Sequence, residues 1–346
     1  MVLAHDPNHV QSLVALADYW LLNNDVERAE PLVERLGPCH VAPEIHLALL
    51  GQVLLQRGNP ERALVAFRDG MAHGPSSPTT MLGMAKAHIA LNERPIALCL
   101  LREVISATDD YRDAYHLLVD SLMPGPNYQE VLASLHAEQQ PRTYLEIGVQ
   151  AGKSIRLAGP TTHAVGVDPN PQISCSLPPS TQIFAETSDA FFEHRDILEV
   201  FAENPIELCF IDGLHTFDQA LRDFINAEKY AAPNAVFLFH DCYPVEPAMT
   251  TREQATTFWA GDVWKVIPIL KEFRPDLSIH TVRTAPTGLG LITGMDPSST
   301  ILEEQFDTIV ETYMSLAFDY LNGNSDARLS IVGNEWPTIQ EILPKA

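Results

Sequence analysis

The chain has 346 residues, enough for two domains at about 150 residues each. It carries 22 lysines and arginines against 45 aspartates and glutamates, a formal net charge of −23. With 46% hydrophobic and 19% charged residues, the composition is that of a folded protein and excludes a disordered chain. The negative charge disfavours nucleic acids and anionic membrane surfaces as partners, because their phosphate groups would be repelled.

Five cysteines are scattered along the chain without a C-x-x-C pair: Cys39, Cys99, Cys175, Cys209 and Cys242. An odd and scattered set disfavours both a disulfide framework and a thiolate zinc site. The first residues lack a basic segment followed by an apolar core, and no run approaches the roughly 18 apolar residues of a membrane span. We therefore expect a reduced, cytoplasmic protein.

The first third of the chain repeats with a period of 34 residues, as Ala29, Ala63 and Ala97 show. Small residues let two helices cross closely and turn formers connect them, so the period predicts repeated helix–turn–helix units. Three further sets of residues recur every 34 positions. They are the small residues Ala17, Gly51 and Ala85, the large apolar residues Val33, Phe67 and Leu101, and the turn formers Asn24, Gly58 and Asn92.

This period and pattern resemble the tetratricopeptide repeat. The middle copy matches best, through Gly51, Leu54, Gly58, Ala63, Phe67 and Pro75. Three copies span about residues 8 to 108, Asp113–Leu122 predicts a cap or partial fourth copy, and residues 1–7 resemble the end of a preceding repeat. The resemblance implies that the array binds a protein or peptide partner on its concave face. An unrelated helical bundle with accidental spacing is the alternative.

A different pattern begins after the turn-forming segment Met123–Asn127. Tyr128–Gln139 predicts one more helix, and from Arg142 short apolar runs alternate with helical segments. Such runs predict a doubly wound, mostly parallel α/β sheet whose last two strands form an antiparallel hairpin. The seven predicted strands are Tyr144–Val149, Ala164–Val167, Ile183–Ala185, Leu208–Ile211, Ala235–Phe239, Ile279–Val282 and Gly288–Thr293.

The first predicted strand is followed by a loop that contains Gly148 and Gly152. Ligands of doubly wound sheets bind at the carboxyl ends of the strands, and glycines let the backbone approach them closely. We expect a helix to begin within a residue or two of this loop. Asp168 follows the second strand, twenty residues beyond Gly148, where a carboxylate can accept both hydroxyl protons of a ribose. This order predicts a nucleoside site.

Other interpretations of the loop are weaker. Gly152-Lys153-Ser154 is similar to the end of a phosphate-binding P-loop, but that motif has four residues between its glycines and this loop has three. A G-x-G-x-x-G pattern is also missing from the sequence, so a dinucleotide site is less favoured than a mononucleoside site. A glycine turn without any ligand stays open as the structural alternative.

Four elements in order resemble the class I S-adenosylmethionine-dependent methyltransferases, in particular the branch with metal-dependent sugar O-methyltransferases. They are Glu146-Ile147-Gly148 with Gly152, Asp168, Phe210-Ile211-Asp212-Gly213-Leu214-His215 and Phe239-His240-Asp241, within about residues 140–295. The resemblance implies that the cofactor is bound by Glu146, Gly148, Gly152, Ser154, Asp168, Ser188 and Asp212. In it, the glycines line the methionine and ribose portion, Asp168 holds the ribose hydroxyls, and Thr187, Ser188 and Asp189 lie near adenine.

Asp212 and Asp241 follow two of the predicted strands, where two bare carboxylates would repel each other and raise each other's pKa. A divalent cation relieves this repulsion. The resemblance implies that Asp212, His240 and Asp241 bind magnesium or manganese, which grips the acceptor hydroxyls and lowers their pKa. Related enzymes often carry an acidic residue where this chain has His240, and imidazole favours manganese, iron or zinc over magnesium. Either His240 binds a softer metal, or it points elsewhere and the site is incomplete.

His215, three residues after Asp212, is the candidate catalytic base. Imidazole titrates near neutral pH, and the acceptor hydroxyl must lose a proton. The alternative is that His215 caps a helix that begins near Thr216–Asp218. Lesser roles for the aspartates are also open, with Asp212 touching the cofactor and Asp241 hydrogen-bonded to the backbone.

A long polar segment between Cys242 and Trp264 carries Tyr243, Arg252, Phe258 and Trp259. Long loops at this face of a sheet are often lids, and aromatic rings there suit stacking on a sugar. After Met295 one apolar helical face is traced by Leu302, Phe306, Ile309, Tyr313, Leu316 and Tyr320. We expect this face to pack on its own domain, and a contact in a homo-oligomer is the alternative.

We therefore predict three parts. Residues 1–123 form an all-α tetratricopeptide-like domain, residues 124–300 form a Rossmann-like methyltransferase domain with a seven-stranded, mostly parallel sheet, and residues 301–346 form a helical extension packed on it. The predicted reaction is methylation of a hydroxyl on a sugar or other polyhydroxylated small molecule, with S-adenosylmethionine as donor and a divalent metal assisting. The alternatives are a repeat scaffold whose methyltransferase-like domain is inactive, and an oxygen-dependent hydroxylase on a similar sheet.

Overall fold

The computed structural model describes residues 6, 9–39, 41–75, 77–108, 111–256 and 258–344. The chain divides into two compact units, Met1–Leu122 and Met123–Ala346. The expectation that residues 1–7 end a preceding repeat lies, apart from residue 6, outside the described residues. Among the described residues, every helix is too short or too polar to cross a membrane.

The first unit is helical throughout its described residues. Consecutive helices pack against each other, most extensively within the pairs α1–α2, α3–α4 and α5–α6. Prolines occupy the first turns of α3, α4, α5 and α6, where their missing N–H costs no hydrogen bond. The helices are α1 (Val10–Leu22), α2 (Val26–Leu36), α3 (Pro43–Gln56), α4 (Pro60–Met71), α5 (Pro78–Ala90), α6 (Arg94–Ala107) and α7 (Arg112–Leu122).

The residues of the 34-residue period occupy equivalent places in the helix pairs. Asn24, Gly58 and Asn92 connect the helices of each pair with φ angles of 55°, 74° and 61°. A Cβ atom at Gly51 would lie 2.4 Å from the Phe67 ring, so only glycine permits this contact. The alanines of the period are fully buried: Ala17, Ala29, Ala63, Ala85 and Ala97. These features fit repeated helix pairs, while the assignment to tetratricopeptide repeats stays a prediction.

The second unit contains a sheet with the strand order β3-β2-β1-β4-β5-β7-β6-β8. Neighbouring strands are parallel except for β7, which is antiparallel to both β5 and β6. The predicted mostly parallel α/β sheet with a closing hairpin is therefore confirmed. The strands are β1 (Thr143–Ile147), β2 (His163–Val167), β3 (Thr181–Phe184), β4 (Ile206–Ile211), β5 (Ala231–His240), β6 (Ser278–Val282), β7 (Leu289–Thr293) and β8 (Ile331–Val332).

Two details differ from the sequence prediction. The sheet has an eighth strand, because Ile331 and Val332 pair in parallel with Thr281 and Val282 of β6 in a segment predicted to be helical only. Two residues are too few to produce the alternation by which a strand is recognised. The expected helix after the glycine loop is instead a single 3₁₀ turn at Ile155–Leu157, since Gly159-Pro160 follow at once and break a longer helix.

Helices cover both faces of the sheet, as a doubly wound fold requires. Leu145 points into a core with Phe224 of α11 and Ile309 of α13, whereas its neighbour Tyr144 points into a second core with Leu132 of α8. Leu302 and Tyr313 of α13 lie in the first core, so this helix packs on its own unit. The helices are α8 (Tyr128–Gln139), α9 (Ser188–His194), α10 (Ile197–Val200), α11 (Phe217–Glu228), α12 (Val266–Phe273), α13 (Ile301–Met314), α14 (Ser325–Arg328) and α15 (Trp336–Ile342).

Candidate active site

The strand order reverses its direction of growth between β1 and β4, and ligands of doubly wound sheets bind in the crevice at such a switch point. A cavity of about 370 Å³ opens there. This volume lies in the range of small-molecule sites, roughly 300–1,000 Å³. Predicted site residues that line it are Gly148, Ser154, Asp168, Asp212, His215 and His240, and Tyr128, Gln150 and Lys153 join them.

Gly148 brings the ends of β1 and β4 into direct contact. Its φ is 90°, and a Cβ atom would lie 1.9 Å from the carbonyl oxygen of Asp212, so no other residue fits. The Gly148 N–H donates to Val167 O, and the Asp212 N–H donates to Ile147 O, each at 2.8 Å. The predicted glycine loop therefore begins at the floor of the cavity.

Asp168 holds the glycine loop from the end of β2. Its Oδ2 accepts hydrogen bonds from the N–H groups of Val149 and Gln150 at 3.0 and 2.7 Å, and its Oδ1 accepts one from Asn170 at 2.7 Å. A carboxylate offers about four lone-pair positions, so capacity is left for a ligand hydroxyl. Asp168 lines the cavity, as the sequence predicts.

Glu146 and Gly152 do not line the cavity, and their predicted contacts to a cofactor stay predictions. Glu146 is fully buried beneath the loop, where its carboxyl accepts hydrogen bonds from Tyr144 and Ser154. Burial raises the pKa of Glu146 to about 8. Gly152 faces the segment that contains Cys175, where a Cβ would lie 3.4 Å from the sulfur. Both residues lie on the side of the glycine loop that faces away from the cavity.

Ser188 and its neighbours also lie outside the cavity lining. Gln219 donates to Ser188 Oγ at 3.3 Å and to Asp189 Oδ1 at 3.1 Å, while Thr187 caps α9 by accepting from the Ala190 N–H. Thr187 thus satisfies one free N–H group at the start of α9, and Ser188 and Asp189 accept from the Gln219 side chain. The contacts to adenine stay a prediction.

The carboxyl ends of β4 and β5 bring four titratable side chains together. His240 Nδ1 lies 3.2 Å from Asp212 Oδ1 and 3.3 Å from Asp241 Oδ1. His215 Nδ1 lies 2.8 Å from Asp241 Oδ2, and its Nε2 lies 3.6 Å from Asp212 Oδ1. Thr287 donates a hydrogen bond to Asp241 Oδ1 at 2.6 Å. The predicted base and the predicted metal ligands thus form one cluster.

The charges of this cluster support one another. Burial opposes the charge of His240, but Asp212 and Asp241 raise the pKa of its imidazole well above the usual value. Burial likewise opposes the charge of His215, and Asp241 raises the pKa of that imidazole. Against the effect of burial, the two histidines hold the pKa of Asp241 well below its usual range. Without another cation, the two imidazolium groups compensate the two carboxylates.

The cluster also has the donors of a cation site. Ligand atoms of Asp212, His240 and Asp241 lie within 4.8 Å of one another. Asp212 Oδ1, His215 Nδ1 and His240 Nδ1 are buried and lack a partner in hydrogen-bond geometry within the described part of the chain. Buried polar atoms without partners call for an explanation, and a cation provides one. An imidazole beside two carboxylates suits manganese, iron or zinc better than magnesium.

His215 does not cap α11. Its φ is 60°, and its ring is held between Asp241 and the indole of Trp259, which stacks on it at 5.0 Å with an interplanar angle of 8°. The sequence suggested Trp259 as a surface for a sugar, whereas here it fixes the plane of His215. Asp262 accepts from the Phe217 N–H at the start of α11 and from Arg252, which holds the loop in place.

The sequence prediction of site residues did not include Tyr128, Gln150 and Lys153, and of these Tyr128 contacts the cluster of titratable side chains. Tyr128, the first residue of α8, packs on the ring of His240 with centroids 4.3 Å apart. Its N–H donates to Ala285 O, and Asn334 donates to Pro126 O just before it. Only its place directly after a proline turn could have drawn attention to Tyr128, because no motif contains it.

Residues 145–242 match a family model described as a methyltransferase domain. The chain carries a methyltransferase domain. This match spans the glycine loop, Asp168, Asp212, His215 and the His240-Asp241 pair, and it confirms the enzyme class predicted from the sequence. No curated protein matches the chain.

Several solved structures show weak similarity. An O-methyltransferase from Bacillus cereus in complex with SAH is 14% identical, with 56% of this chain and 89% of that chain covered and a TM-score of 0.37. An O-methyltransferase family protein from Burkholderia thailandensis is 14% identical over 86% of this chain and 98% of that chain, with a TM-score of 0.37. The O-methyltransferase TomG from Streptomyces achromogenes in complex with SAM is 17% identical over 51% and 83% of the two chains, with a TM-score of 0.35. Similarities at this level do not establish a shared activity.

Proposed function

We propose that the protein transfers a methyl group from S-adenosylmethionine to a hydroxyl oxygen. The methyltransferase domain match supports the reaction class. The observation that carries the proposal is the switch-point cavity, which is lined by the glycine loop, Asp168, Asp212, His215 and His240. Asp241 contacts both histidines from outside the lining. The glycine loop and Asp168 would bind the nucleoside part of the cofactor on one side. On the other side, His215 would accept a proton and the neighbouring carboxylates and His240 would bind a cation.

The cofactor side of the cavity fits a nucleoside. S-adenosylmethionine supplies an electrophilic methyl group on its sulfonium when bound. Gly148 leaves the backbone accessible where a side chain would obstruct it, and Asp168 keeps lone-pair capacity for the ribose hydroxyls. The backbone hydrogen bonds that Asp168 already accepts hold its carboxylate in a fixed position, so little ordering is needed on binding.

On the acceptor side, Asp212, His240 and Asp241 would hold a divalent cation. Such an ion, when bound, lowers the pKa of an acceptor hydroxyl and orients it. Two hydroxyls on neighbouring carbons can share one cation, which favours a sugar or another polyhydroxylated small molecule as acceptor. The ring of Tyr128 borders the same space and offers an apolar face to such a molecule.

We assign His215 as the general base of the proposed reaction, in the neutral form that it would take once a bound cation compensates Asp212 and Asp241 in its place. Asp241 holds its Nδ1, which directs Nε2 toward Asp212 and the cavity. Trp259 fixes the plane of the ring from the other side. The acceptor proton would pass to Nε2, since Nδ1 faces Asp241 at 2.8 Å while Nε2 lies 3.6 Å from Asp212 Oδ1.

For the amino-terminal helices we propose a tetratricopeptide-like array that binds a protein or peptide partner. Its three copies span about residues 8 to 108, and α7 serves as the cap. The period of buried small residues and left-handed turns at Asn24, Gly58 and Asn92 supports this assignment. The methyltransferase part then comprises residues 124–300, with residues 301–346 as an extension packed on it.

The test is calorimetric titration of the full chain with S-adenosylmethionine and S-adenosylhomocysteine, first with manganese or magnesium and then with chelator. We expect micromolar binding of both compounds. We also expect a binding heat that depends on the metal and is larger with manganese than with magnesium. His240→Asp should shift this preference toward magnesium, because it replaces the nitrogen ligand with oxygen, and His163→Gln on β2 serves as the control. Absence of cofactor binding under every condition would contradict the proposed function and favour the inactive scaffold.

A further inference from the structure

A groove of about 440 Å³ crosses the helical unit. Its walls come from the first helix of each pair, α1, α3 and α5, and it also reaches the end of α4. Asp18 and Leu22 line it from α1, Glu44 and Ile45 from α3, and Met71 from α4. The groove lies entirely within the amino-terminal unit.

The apolar side chains of this groove are unusually exposed. Leu22 is 78% exposed, Ile45 42% and Met71 41%, so each leaves much of its side chain in water. Single exposed apolar residues are ordinary, but several that converge on one concave surface mark a binding site. Burial of these side chains by a partner would stabilise the complex, because it removes apolar surface from water.

The charge of the groove has one sign. Asp18 and Glu44 line it, and no lysine, arginine or histidine does so among the described residues. Neither carboxylate has an ion pair within the described ranges, and partial burial raises the pKa of Asp18. Glu44 packs over Gly74, where a Cβ would lie 3.0 Å from the Glu44 side chain, so the glycine leaves room for it. The groove therefore presents two carboxylates without a counter-charge among its described lining residues.

We propose that this groove binds a segment of a partner protein in which lysine or arginine side chains alternate with apolar ones. The proposal rests on the proposed role of the helical unit as a partner-binding array. Apolar side chains of the segment cover Leu22, Ile45 and Met71, while its cations pair with Asp18 and Glu44. The complementarity excludes acidic and phosphorylated segments, because like charges oppose each other across an interface. A second copy of this chain is disfavoured by its net charge of −23.

The test measures fluorescence anisotropy of labelled peptides with the full chain. One peptide of about ten residues alternates leucine with lysine, and a matched peptide alternates leucine with glutamate. We expect saturable binding of the lysine peptide, weakened by added salt, and no binding of the glutamate peptide. Equal binding of the two peptides would overturn the proposal.

Variants locate the binding. The double variant Asp18→Asn with Glu44→Gln should weaken the binding of the lysine peptide by about tenfold or more, since the lysines of the peptide lose their counter-charges. Leu22→Ala should weaken it as well, and the exposed side chain makes this change harmless to folding. The matched control, Glu61→Gln with Glu103→Gln, removes two charges from outside the groove. If the control weakens binding as much as the groove variant does, the attraction is general and the proposal fails.

Two further readouts separate the outcomes. Cofactor calorimetry on the same samples tests the methyltransferase proposal independently, so that loss of one binding activity leaves the other measurable. Sedimentation without peptide tests whether the chain itself fills the groove. Self-association that Leu22→Ala abolishes would identify a second copy as the occupant and overturn the proposal.

Discussion

Asp168 serves the glycine loop and the proposed cofactor at the same time. Three backbone N–H groups donate to its carboxylate, and the remaining lone-pair capacity faces the cavity. A change at this residue therefore affects both the shape of the loop and any ligand hydroxyl. Asparagine is a better probe than alanine, because it keeps one accepting oxygen for the loop.

We expect Asp168→Asn to weaken the binding of S-adenosylmethionine by about tenfold to a hundredfold. The reason is that a hydrogen bond to a charged group contributes roughly 1.5–3 kcal/mol. Asp168→Ala should weaken it further, because it also leaves the N–H groups of Val149 and Gln150 without a partner. Calorimetry measures both. Asp196→Asn, at an exposed helix cap, is the control. Unchanged affinity in Asp168→Asn would remove the ribose assignment.

A buried carboxyl outside the cavity makes the stability depend on pH. Asp223 lies on the buried face of α11, where burial raises its pKa to about 7, and Gln219 donates to it at 3.0 Å. In the unfolded chain its pKa is near 3.9. The folded state thus binds this proton more tightly, and the associated stability is fully present below about pH 4 and is lost as the pH rises through 7.

We expect Asp223→Asn to remove this loss, because the amide stays neutral and still accepts from Gln219. The variant should be more stable than the wild type by about 1 kcal/mol or more at pH 8, with the difference vanishing near pH 4. Urea unfolding at a series of pH values measures it. Glu193→Gln changes an exposed carboxylate on α9 and should leave the profile unaltered. A difference that grows toward low pH would show that the sign is wrong.

At the scale of elements, one buried ion pair connects α11 to the end of α12. Arg274, directly after α12, donates to Glu228 at 2.7 Å, and both side chains are buried. Arg274 also donates to Asp276, while Glu228 accepts from the Asp296 N–H. Loss of one partner would leave a buried charge uncompensated.

We expect Arg274→Met to lower the free energy of unfolding by about 3–5 kcal/mol, because it strands the Glu228 carboxylate. The double variant with Glu228→Gln should recover much of this loss, since the neutral amide still accepts from Asp296. Denaturant unfolding of all three proteins measures these changes in the free energy of unfolding. Arg283→Met breaks the exposed pair with Asp326 and should cost less than about 1 kcal/mol. Losses of equal size in the two arginine variants would refute the special role of the buried pair.

At the scale of the whole molecule, the sequence predicted the sheet well and the site in part. Seven strands were found within a few residues because their runs are almost entirely apolar, and β8 was missed because it has two residues. Asp168, Asp212, His215, His240 and Asp241 were placed correctly at strand ends, since the order of a parallel sheet brings those ends together.

The missed features depend on contacts that are distant in sequence. Glu146 turned out to be a support for the loop because Tyr144 and Ser154 enclose it, which no spacing reveals. Ser188 resembled a ligand contact but interacts with Gln219, 31 residues away. Tyr128 enters the cavity because residues 285 and 334 anchor the turn before it. A local sequence pattern indicates which strand a residue follows. It does not indicate which side chains from distant parts of the sequence contact that residue.

The contact between Gly148 and Asp212 has a mechanical consequence. The first residue of the glycine loop rests on the carbonyl of the residue whose carboxylate belongs to the proposed metal site. We therefore expect that a ligand which displaced the loop would also shift the backbone that carries the donor for the other site. Occupancy of either site biases the geometry of its neighbour, and thermodynamic linkage requires that the two binding free energies change each other by the same amount.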